Sequence, residues 1–405
     1  MIERWIEAPR LRLPEDETAD RRATWLELFF DLVFAAAVAD IGSRLSSDYT
    51  VIGLGRFGFQ FFLIWWAWTG HTFFSTRFDN DDPLHRILTL AQMFLAAVMA
   101  VNANATLASR EAGGFVAAYG GIRLLLAVQY GRVVAIPETA RFARRQRLWL
   151  SMAAIAWLVS AVVPPTWRPA AWTLALALEL GASLLARMVA PALPLDPAHL
   201  IERFGLFTLI LFGQSVVAIM AGMRQRDAWT PGAATSAVLG LLLVFALWWA
   251  YFGGLAAANP KSPSPRLHVW TATHLSLCFA IAVAAVGIEH IIARNGSAPL
   301  GLAGPLLVGG VAGVVLTLGI LVVAAPGAST GRAGQTLGAY AGLCLLLVPA
   351  ALIGSAFAAV WTLSWLLGCT LAVNVFASHQ RSQRAGNDSH LVGNLSRRSD
   401  LAELE

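Results

Sequence analysis

The residues best suited to chemistry in this 405-residue chain are charged groups set within apolar runs. Glu27 and Asp31 are four residues apart, so a helix places them on one face. His199, Glu202 and Arg203 form a second group, because His199 precedes the other two by three and four residues. Carboxylates beside an imidazole can hold or pass a proton. The sequence therefore predicts that these residues bind a substrate or an ion.

Each group also has a plainer interpretation. Thr24 and Glu27 have the spacing of a capping box, in which the glutamate bonds back to the start of its helix. Asp31 is one turn deeper, about 6 Å further along, where it cannot cap, so we expect it to have a buried partner. The alternative for the group at residues 199–203 is an interfacial turn with solvated charges.

His274 is the partner that the sequence predicts for Asp31. It is about two turns into its predicted helix, at a depth similar to that of Asp31. A charged histidine is costly at that depth, so we expect it to be neutral and hydrogen-bonded. Its protonation beside Asp31 would couple movement of a proton to that of a solute. A plain interhelical hydrogen bond is the competing interpretation.

Two further charge pairs are expected. Arg123 and Glu179 are both near the middle of their predicted helices at matching depth, which predicts an ion pair that either joins helices or contacts substrate. Asp40 and Arg44 are four residues apart and are most simply an intrahelical pair.

The acidic run RFDNDD at residues 77–82 is a weak candidate metal site. Acid clusters can hold Mg²⁺ against a diphosphate, which makes Asp79, Asp81 and Asp82 the candidate ligands. The spacing is not that of a DDxxD motif, and Asp82 is explained as the cap before Pro83. We therefore expect no metal site and no cofactor.

The elements that position these groups are predicted from composition. Hydrophobic residues make up 57% of the chain, charged residues 13%, and the mean hydropathy is +0.63. Soluble proteins carry about a quarter charged residues, so the prediction is an all-α polytopic integral membrane protein with about twelve transmembrane helices. The predicted spans are 25–45, 51–74, 84–108, 114–136, 147–165, 170–190, 199–222, 231–254, 266–292, 300–325, 337–354 and 356–377.

Arginine placement predicts the orientation. If both termini are cytoplasmic, inside segments hold 20 Lys/Arg and outside segments seven, as the positive-inside rule requires. This predicts an inner (plasma) membrane protein and explains the charge of +5 without a nucleic-acid partner. The predicted domains are a cytoplasmic segment 1–24, six-helix halves 25–198 and 199–377, and a disordered cytoplasmic tail 378–405.

Three matches in the same order favour two parallel halves. Glu27 aligns with Glu202, the run WWAW at 65–68 aligns with WWAY at 248–251, and Gln92 aligns with His274. The tryptophans in these runs are typical of an aromatic belt at the headgroups, although adjacent ones point in different directions and some can line a cavity. The glycine-rich tenth span permits close helix packing.

The runs WLELFFDLVFAAAVADI, WWAW, RFDNDD and HLIERFGLFTLILFGQSV resemble the bacterial low temperature requirement A (LtrA) family, from about Arg22 to Phe376. The resemblance implies a multi-pass inner-membrane protein and specifies no activity. Gln214 stands where the family's LGES-type element would have a glutamate. If that acid carries protons or ions in relatives, coupling differs in this chain.

Three functions fit these features. The first is a transporter or permease of a small solute or ion, with a polar site between the halves. The second is a membrane-embedded enzyme acting on a lipid or isoprenoid at the cytoplasmic face. The third is a non-catalytic, stress-related membrane protein. The expected partners are the lipid bilayer and a small solute or ion.

Overall fold

The computed structural model shows a helical protein with one very short strand pair. The residues it describes are 9–11, 23–79, 82–104, 110–189, 196–226, 228–255, 267–293, 303–325, 337–342, 344–345, 360–376 and 378. Most of the segment 1–24 and of the tail 378–405 therefore lies outside the described residues.

Ten long helices follow one another in the part of the chain that the structure describes. Their bounds are α1 Trp25–Leu45, α2 Val51–Arg77, α3 Pro83–Val101, α4 Arg110–Arg132, α5 Ala140–Val162, α6 Arg168–Val189, α7 Pro197–Arg224, α8 Pro231–Leu255, α9 Leu267–Ala293 and α10 Ala303–Ala324. A shorter apolar helix, Val360–Phe376, comes after them. The predicted all-α fold is therefore confirmed.

The predicted spans agree with these helices to within a few residues. The largest differences are at the end of α3, which was expected to reach residue 108 but ends at Val101, where a short 3-10 turn begins, and at the start of α5, which was expected at residue 147 but begins at Ala140. Seven of the described helices are long and apolar enough to cross a membrane, namely α2, α3, α4, α7, α8, α9 and α10. Helix α1 is not among them because four charged residues are spread along it. The count of twelve spans stays a prediction.

Polar side chains fix where several helices begin. Thr24 and Glu27 form the expected capping box at α1. The side chain of Asp82 accepts a hydrogen bond from the backbone N–H of His85 at the start of α3, and Asp196 does the same at the start of α7. These carboxylates satisfy N–H groups that the first turn leaves without helical partners.

The helices belong to two compact units, residues 1–214 and 215–405. In the first unit α4 packs on α3 and α5, and α1 packs on α2 and α3. In the second unit α9 packs on α8 and α10. The unit boundary falls within α7, and the predicted division into six-helix halves at residue 198 stays a prediction.

A two-residue antiparallel pair joins β1 (Arg10–Leu11) to β2 (Phe78–Asp79) in the first unit. The register sets Arg10 opposite Asp79 and Leu11 opposite Phe78. Leu11 and Phe78 belong to an apolar cluster at the ends of α2 and α4. This contact ties part of the N-terminal segment to the end of α2, a connection that helical periodicity could not predict.

Glycines bring α9 and α10 together in the second unit. A Cβ on Gly310 would lie 2.6 Å from the backbone nitrogen of Ala284, and one on Gly287 would lie 2.8 Å from Cα of Leu307. Gly309, the neighbour of Gly310, has nothing within 4 Å. The predicted close packing of the glycine-rich helix is therefore confirmed, and the face of α10 that includes Gly310 makes the contact with α9.

Candidate functional site

A cluster of buried charged and polar side chains lies where α1, α2 and α7 meet in the first unit. We call it the charged cluster, and its members are Glu27 and Asp31 of α1, Trp68 and Ser75 of α2, and His199 and Arg203 of α7. All six are buried. Two stretches that the sequence singled out separately thus meet in one place.

Arg203 is the centre of the charged cluster. Its guanidinium grips Asp31 with two hydrogen bonds, Nε to Oδ2 at 3.0 Å and Nη2 to Oδ1 at 2.6 Å. Its remaining nitrogen, Nη1, lies 3.1 Å from Oε1 of Glu27 and donates to the Ser75 hydroxyl at 3.3 Å. Both Arg203 and Asp31 are 0% exposed. The expectation of a buried partner for Asp31 is confirmed, and that partner is an arginine.

Trp68 closes the charged cluster on the side of α2. Its indole N–H donates to Oδ1 of Asp31 at 2.6 Å. Its ring packs on Phe204 and Phe207 of α7, with centroid separations of 4.9 and 4.3 Å. The indole therefore holds the carboxylate and excludes water from its surroundings.

Glu27 serves two of the predicted roles at once. Its Oε2 accepts from the backbone N–H of Thr24 at 2.8 Å, which completes the capping box. Its Oε1 lies 3.2 Å from Nε2 of His199 and 3.1 Å from Arg203. Capping and membership of the charged cluster are therefore compatible, because each uses a different oxygen.

His199 lies between two carboxylates. Nε2 faces Glu27, and Nδ1 is 3.9 Å from Oε2 of Glu202. Glu202 is half-buried and also accepts from the backbone N–H of Ala23 at 3.2 Å. The alternative of a solvated interfacial turn is wrong for His199 and Arg203, since they are 1% and 0% exposed.

The formal charges of the charged cluster do not balance when His199 is neutral. Glu27 and Asp31 bring two negative charges, and Arg203 brings one positive charge. An uncompensated charge is expensive in a buried setting. Each ring nitrogen of His199 faces a carboxylate, so the imidazole is the side chain placed to offset this excess.

His274 has its hydrogen-bonding partners within the second unit. Nδ1 lies 2.8 Å from the carbonyl oxygen of Trp270, and Nε2 lies 3.0 Å from the Tyr251 hydroxyl. The carbonyl can only accept, so Nδ1 carries the hydrogen and Nε2 accepts from Tyr251. The interhelical hydrogen bond between α8 and α9 is thereby confirmed. Neither His274 nor Asp31 needs the other to satisfy its polar atoms.

The predicted ion pair between Arg123 and Glu179 is confirmed, with Nε and Oε1 2.6 Å apart. Tyr119 lies beside it and donates to both carboxylate oxygens at 2.9 Å, while Arg123 donates to the Tyr119 hydroxyl. Trp157 donates its indole N–H to Glu179 at 3.0 Å. One carboxylate therefore joins α4, α5 and α6.

The remaining charged candidates are explained locally. Arg44 binds Asp40 at 2.7 Å, as expected of an intrahelical pair. Asp82 caps α3 and forms an ion pair with Arg132 at 2.5 Å. The side chains of Asp79 and Asp81 lie outside the described residues. Among the side chains that the structure does describe, no three metal-ligating groups come together.

Gln214 is half-buried on α7.

The aromatic-belt interpretation is wrong for Trp65, Trp68 and Tyr251, which are at most 2% exposed, whereas Trp249 is 50% exposed. As the sequence predicted, tryptophans in the same run point in different directions.

The sequence interpretation missed several buried polar residues. Trp68 was considered an interfacial aromatic, and Ser75 was not considered. A row of neutral polar side chains was missed as a group, although Gln92 had been noted as the counterpart of His274. Its members are His71 of α2, His85, Thr89 and Gln92 of α3, and Gln129 of α4. We call these five residues the polar row. The only signal was the spacing 85, 89 and 92, which places three polar residues on one face of α3.

Comparison with known proteins places this architecture. The family model of the bacterial low temperature requirement A protein (LtrA) matches residues 22–377. The chain belongs to the LtrA family. An uncharacterised protein of Rhizobium meliloti (strain 1021) is 26% identical over 310 residues, which cover 70% of this chain and 72% of that relative. The whole charged cluster lies inside the region that the LtrA model matches.

Proposed function

We propose that this LtrA-family protein is a proton-coupled permease of a small solute or ion, inserted in the bacterial inner membrane with both termini cytoplasmic. Seven apolar helices of membrane-spanning length support insertion. The observation that carries the proposal is the unbalanced charge among Glu27, Asp31 and Arg203, beside the buried His199. Ionisable groups inside a membrane domain commonly mark ion pathways and proton relays.

In this proposal the charged cluster has two states. When His199 is protonated, its imidazolium lies between Glu27 and Glu202 and the buried charges balance. When His199 loses the proton, the excess negative charge favours either a rearrangement of α1 against α7 or entry of a cation. A ligand that prefers one state shifts the equilibrium between them by its difference in affinity. Coupling therefore requires that binding of the solute at the charged cluster changes its affinity for the proton, and that binding of the proton changes its affinity for the solute.

The site in this proposal is formed by α1, α2 and α7. All members of the charged cluster lie in the unit of residues 1–214, and a polar site between the two predicted halves stays a part of the proposal. The enzyme alternative has less support. Of its acidic candidates, Asp82 is already occupied by the α3 cap and Arg132.

Proteoliposomes with an internal pH dye test the permease. Gradients of amino acids, sugars, organic cations and inorganic ions are imposed one class at a time while valinomycin and potassium clamp the potential. We expect one class to drive proton movement in the wild type and in the matched control Asp40→Asn. His199→Gln, which keeps a hydrogen-bonding side chain but cannot take up the proton, should abolish it. If no class of solute moves protons faster in liposomes that contain the protein than in protein-free liposomes, the proposal is wrong.

A further inference from the structure

The polar row offers a set of buried hydrogen-bonding groups that the charged cluster does not use. All five members are buried, and Gln92 and Gln129 are 0% exposed. None of them carries a formal charge when the histidines are neutral. A wholly neutral polar row inside apolar helices is costly unless its donors and acceptors are satisfied.

Hydrogen bonds run along the polar row in one direction. Gln92 donates its side-chain N–H to Oε1 of Gln129 at 2.9 Å. The amide nitrogen of Gln129 lies 3.5 Å from Nδ1 of His85, and Nε2 of His85 lies 3.5 Å from the Thr89 hydroxyl. With the hydrogen of His85 on Nε2, each group donates to the next. The two long contacts leave this chain loosely joined.

Two atoms of the polar row have unused hydrogen-bonding capacity. Oε1 of Gln92 and Nδ1 of His71 are fully buried, and neither has a partner among the residues that the structure describes. Buried polar groups in this position are commonly satisfied by ordered water. One atom lies on α3 and the other on α2.

His71 connects the polar row to the charged cluster. Its ring stacks on Phe30, the residue before Asp31, with centroids 4.1 Å apart, and lies 6.1 Å from the ring of His85. Gln129 interacts with the His71 side chain, and His71 shares a face of α2 with two members of the charged cluster, Trp68 and Ser75. The polar row therefore leads from Gln92, within α3, to the edge of the charged cluster.

We propose that the polar row binds a file of water molecules that conducts the coupling proton to and from the charged cluster, with His71 as the last relay. The proposal rests on the proposed function. In the relay step the neutral His71 ring takes the excess proton from a protonated water of the file at one nitrogen, which leaves neutral water, and releases the proton of its other nitrogen to the charged cluster, where His199 is the acceptor in the proposed function. The ring ends neutral as the other tautomer, so charge and atoms balance.

Water exchange can be measured without any transport assay. The full-length protein, labelled with ¹⁵N in histidine and glutamine side chains, is studied in lipid nanodiscs by proton exchange between water and the labelled groups. We expect exchange at His71, Gln92 and Gln129. His274 is the internal control, because it is 0% exposed and both ring nitrogens have protein partners. If His71 and Gln92 exchange no faster than His274, the file of water is absent and the inference is overturned.

Substitution tests the relay. His71→Phe keeps the stacked ring and removes both nitrogens. We expect proton flux to be lost, while the unfolding temperature and the proton exchange at Gln92 stay as in the wild type. Gln60→Leu is the control, because Gln60 is another buried polar residue of α2 and donates to the carbonyl of Ala103; it should keep its flux. Wild-type flux in His71→Phe overturns the relay. Exchange at the polar row in a protein without any flux supports the bound water and counts against the permease, so the two failures are distinguishable.

Discussion

Arg203 illustrates how strongly one residue can depend on its partners. It neutralises one of the two buried carboxylates that it contacts, Asp31 and Glu27. Removing one partner of a buried ion pair is costly because the other charge is left uncompensated. The loss of stability on removing a charge should therefore differ among Glu27, Asp31 and Arg203, because two carboxylates face one guanidinium.

The unequal charges predict an order of stability. Arg203→Gln leaves two buried carboxylates and should cost about 3–5 kcal/mol in free energy of unfolding. Asp31→Asn should cost less, because Glu27 and Arg203 remain as a matched pair. Asp40→Asn on the same helix removes a half-exposed pair with Arg44 and should cost about 1 kcal/mol or less. Unfolding in mixed detergent micelles measures all three. Equal losses for Arg203→Gln and Asp31→Asn would contradict the charge count.

Glu179 predicts a different outcome, because one guanidinium, that of Arg123, faces its single negative charge. Glu179→Leu leaves a buried guanidinium and should cost about 3–5 kcal/mol in unfolding free energy. Adding Arg123→Met should recover part of that loss, since replacing both members of a buried pair is often tolerated. Recovery stays incomplete because Tyr119 and Trp157 lose their acceptor. If the double variant is stable but inactive in the liposome assay, the pair serves transport as well as packing.

At the scale of elements, helix contact is decided by which glycines face a neighbour. Gly309 and Gly310 are adjacent on α10, yet only Gly310 lies against the backbone of α9. A helix rotates by 100° per residue, so neighbouring positions face different surroundings. Close approach of backbones is the usual role of small residues between membrane helices.

The two glycines therefore give a matched pair of substitutions. Gly310→Ala places a methyl group 2.6 Å from the Ala284 nitrogen, so the helices must separate. We expect it to lower the free energy of unfolding by about 1–3 kcal/mol, the usual cost of overpacking. Gly309→Ala has open space and should be neutral or slightly stabilising, because alanine favours helix. Both are measured by unfolding in mixed micelles; a destabilising Gly309→Ala would show that the packed face is wrong.

At the scale of the whole molecule, the orientation in the membrane is a prediction from arginine placement. The loop after α1 is predicted to be outside and the loop between α4 and α5 inside. Ser47 and Glu138 are exposed in these two loops. They offer positions where a reporter group disturbs no packed contact.

Cysteine labelling tests this orientation. Ser47→Cys should react with a membrane-impermeant maleimide in intact cells, because its loop faces outward. Glu138→Cys should react only after the cells are permeabilised. The wild-type chain, with Cys278, Cys344 and Cys369, gives the background. The reverse pattern would show that the arginine asymmetry does not set the orientation.

The sequence by itself determined the helical membrane architecture, most helix bounds and the charged residues worth attention. Periodic apolar runs, prolines and capping residues act locally, so their effect can be read along the chain. It also determined the pairs Asp40–Arg44 and Thr24–Glu27, because partners three or four residues apart on a helix must be neighbours.

Only the tertiary structure decided which distant groups meet. Asp31 pairs with Arg203, 172 residues away, while the expected proximity of Asp31 and His274 stays a prediction. Local spacing fixes the face on which a side chain lies and leaves open which helix that face contacts. The same limit hid Trp68 as a hydrogen-bond donor and the polar row, since neutral residues such as Gln92 and Gln129 gain significance from one another. Burial and long-range packing created the unequal charge that gives Glu27, Arg203 and His199 their proposed role.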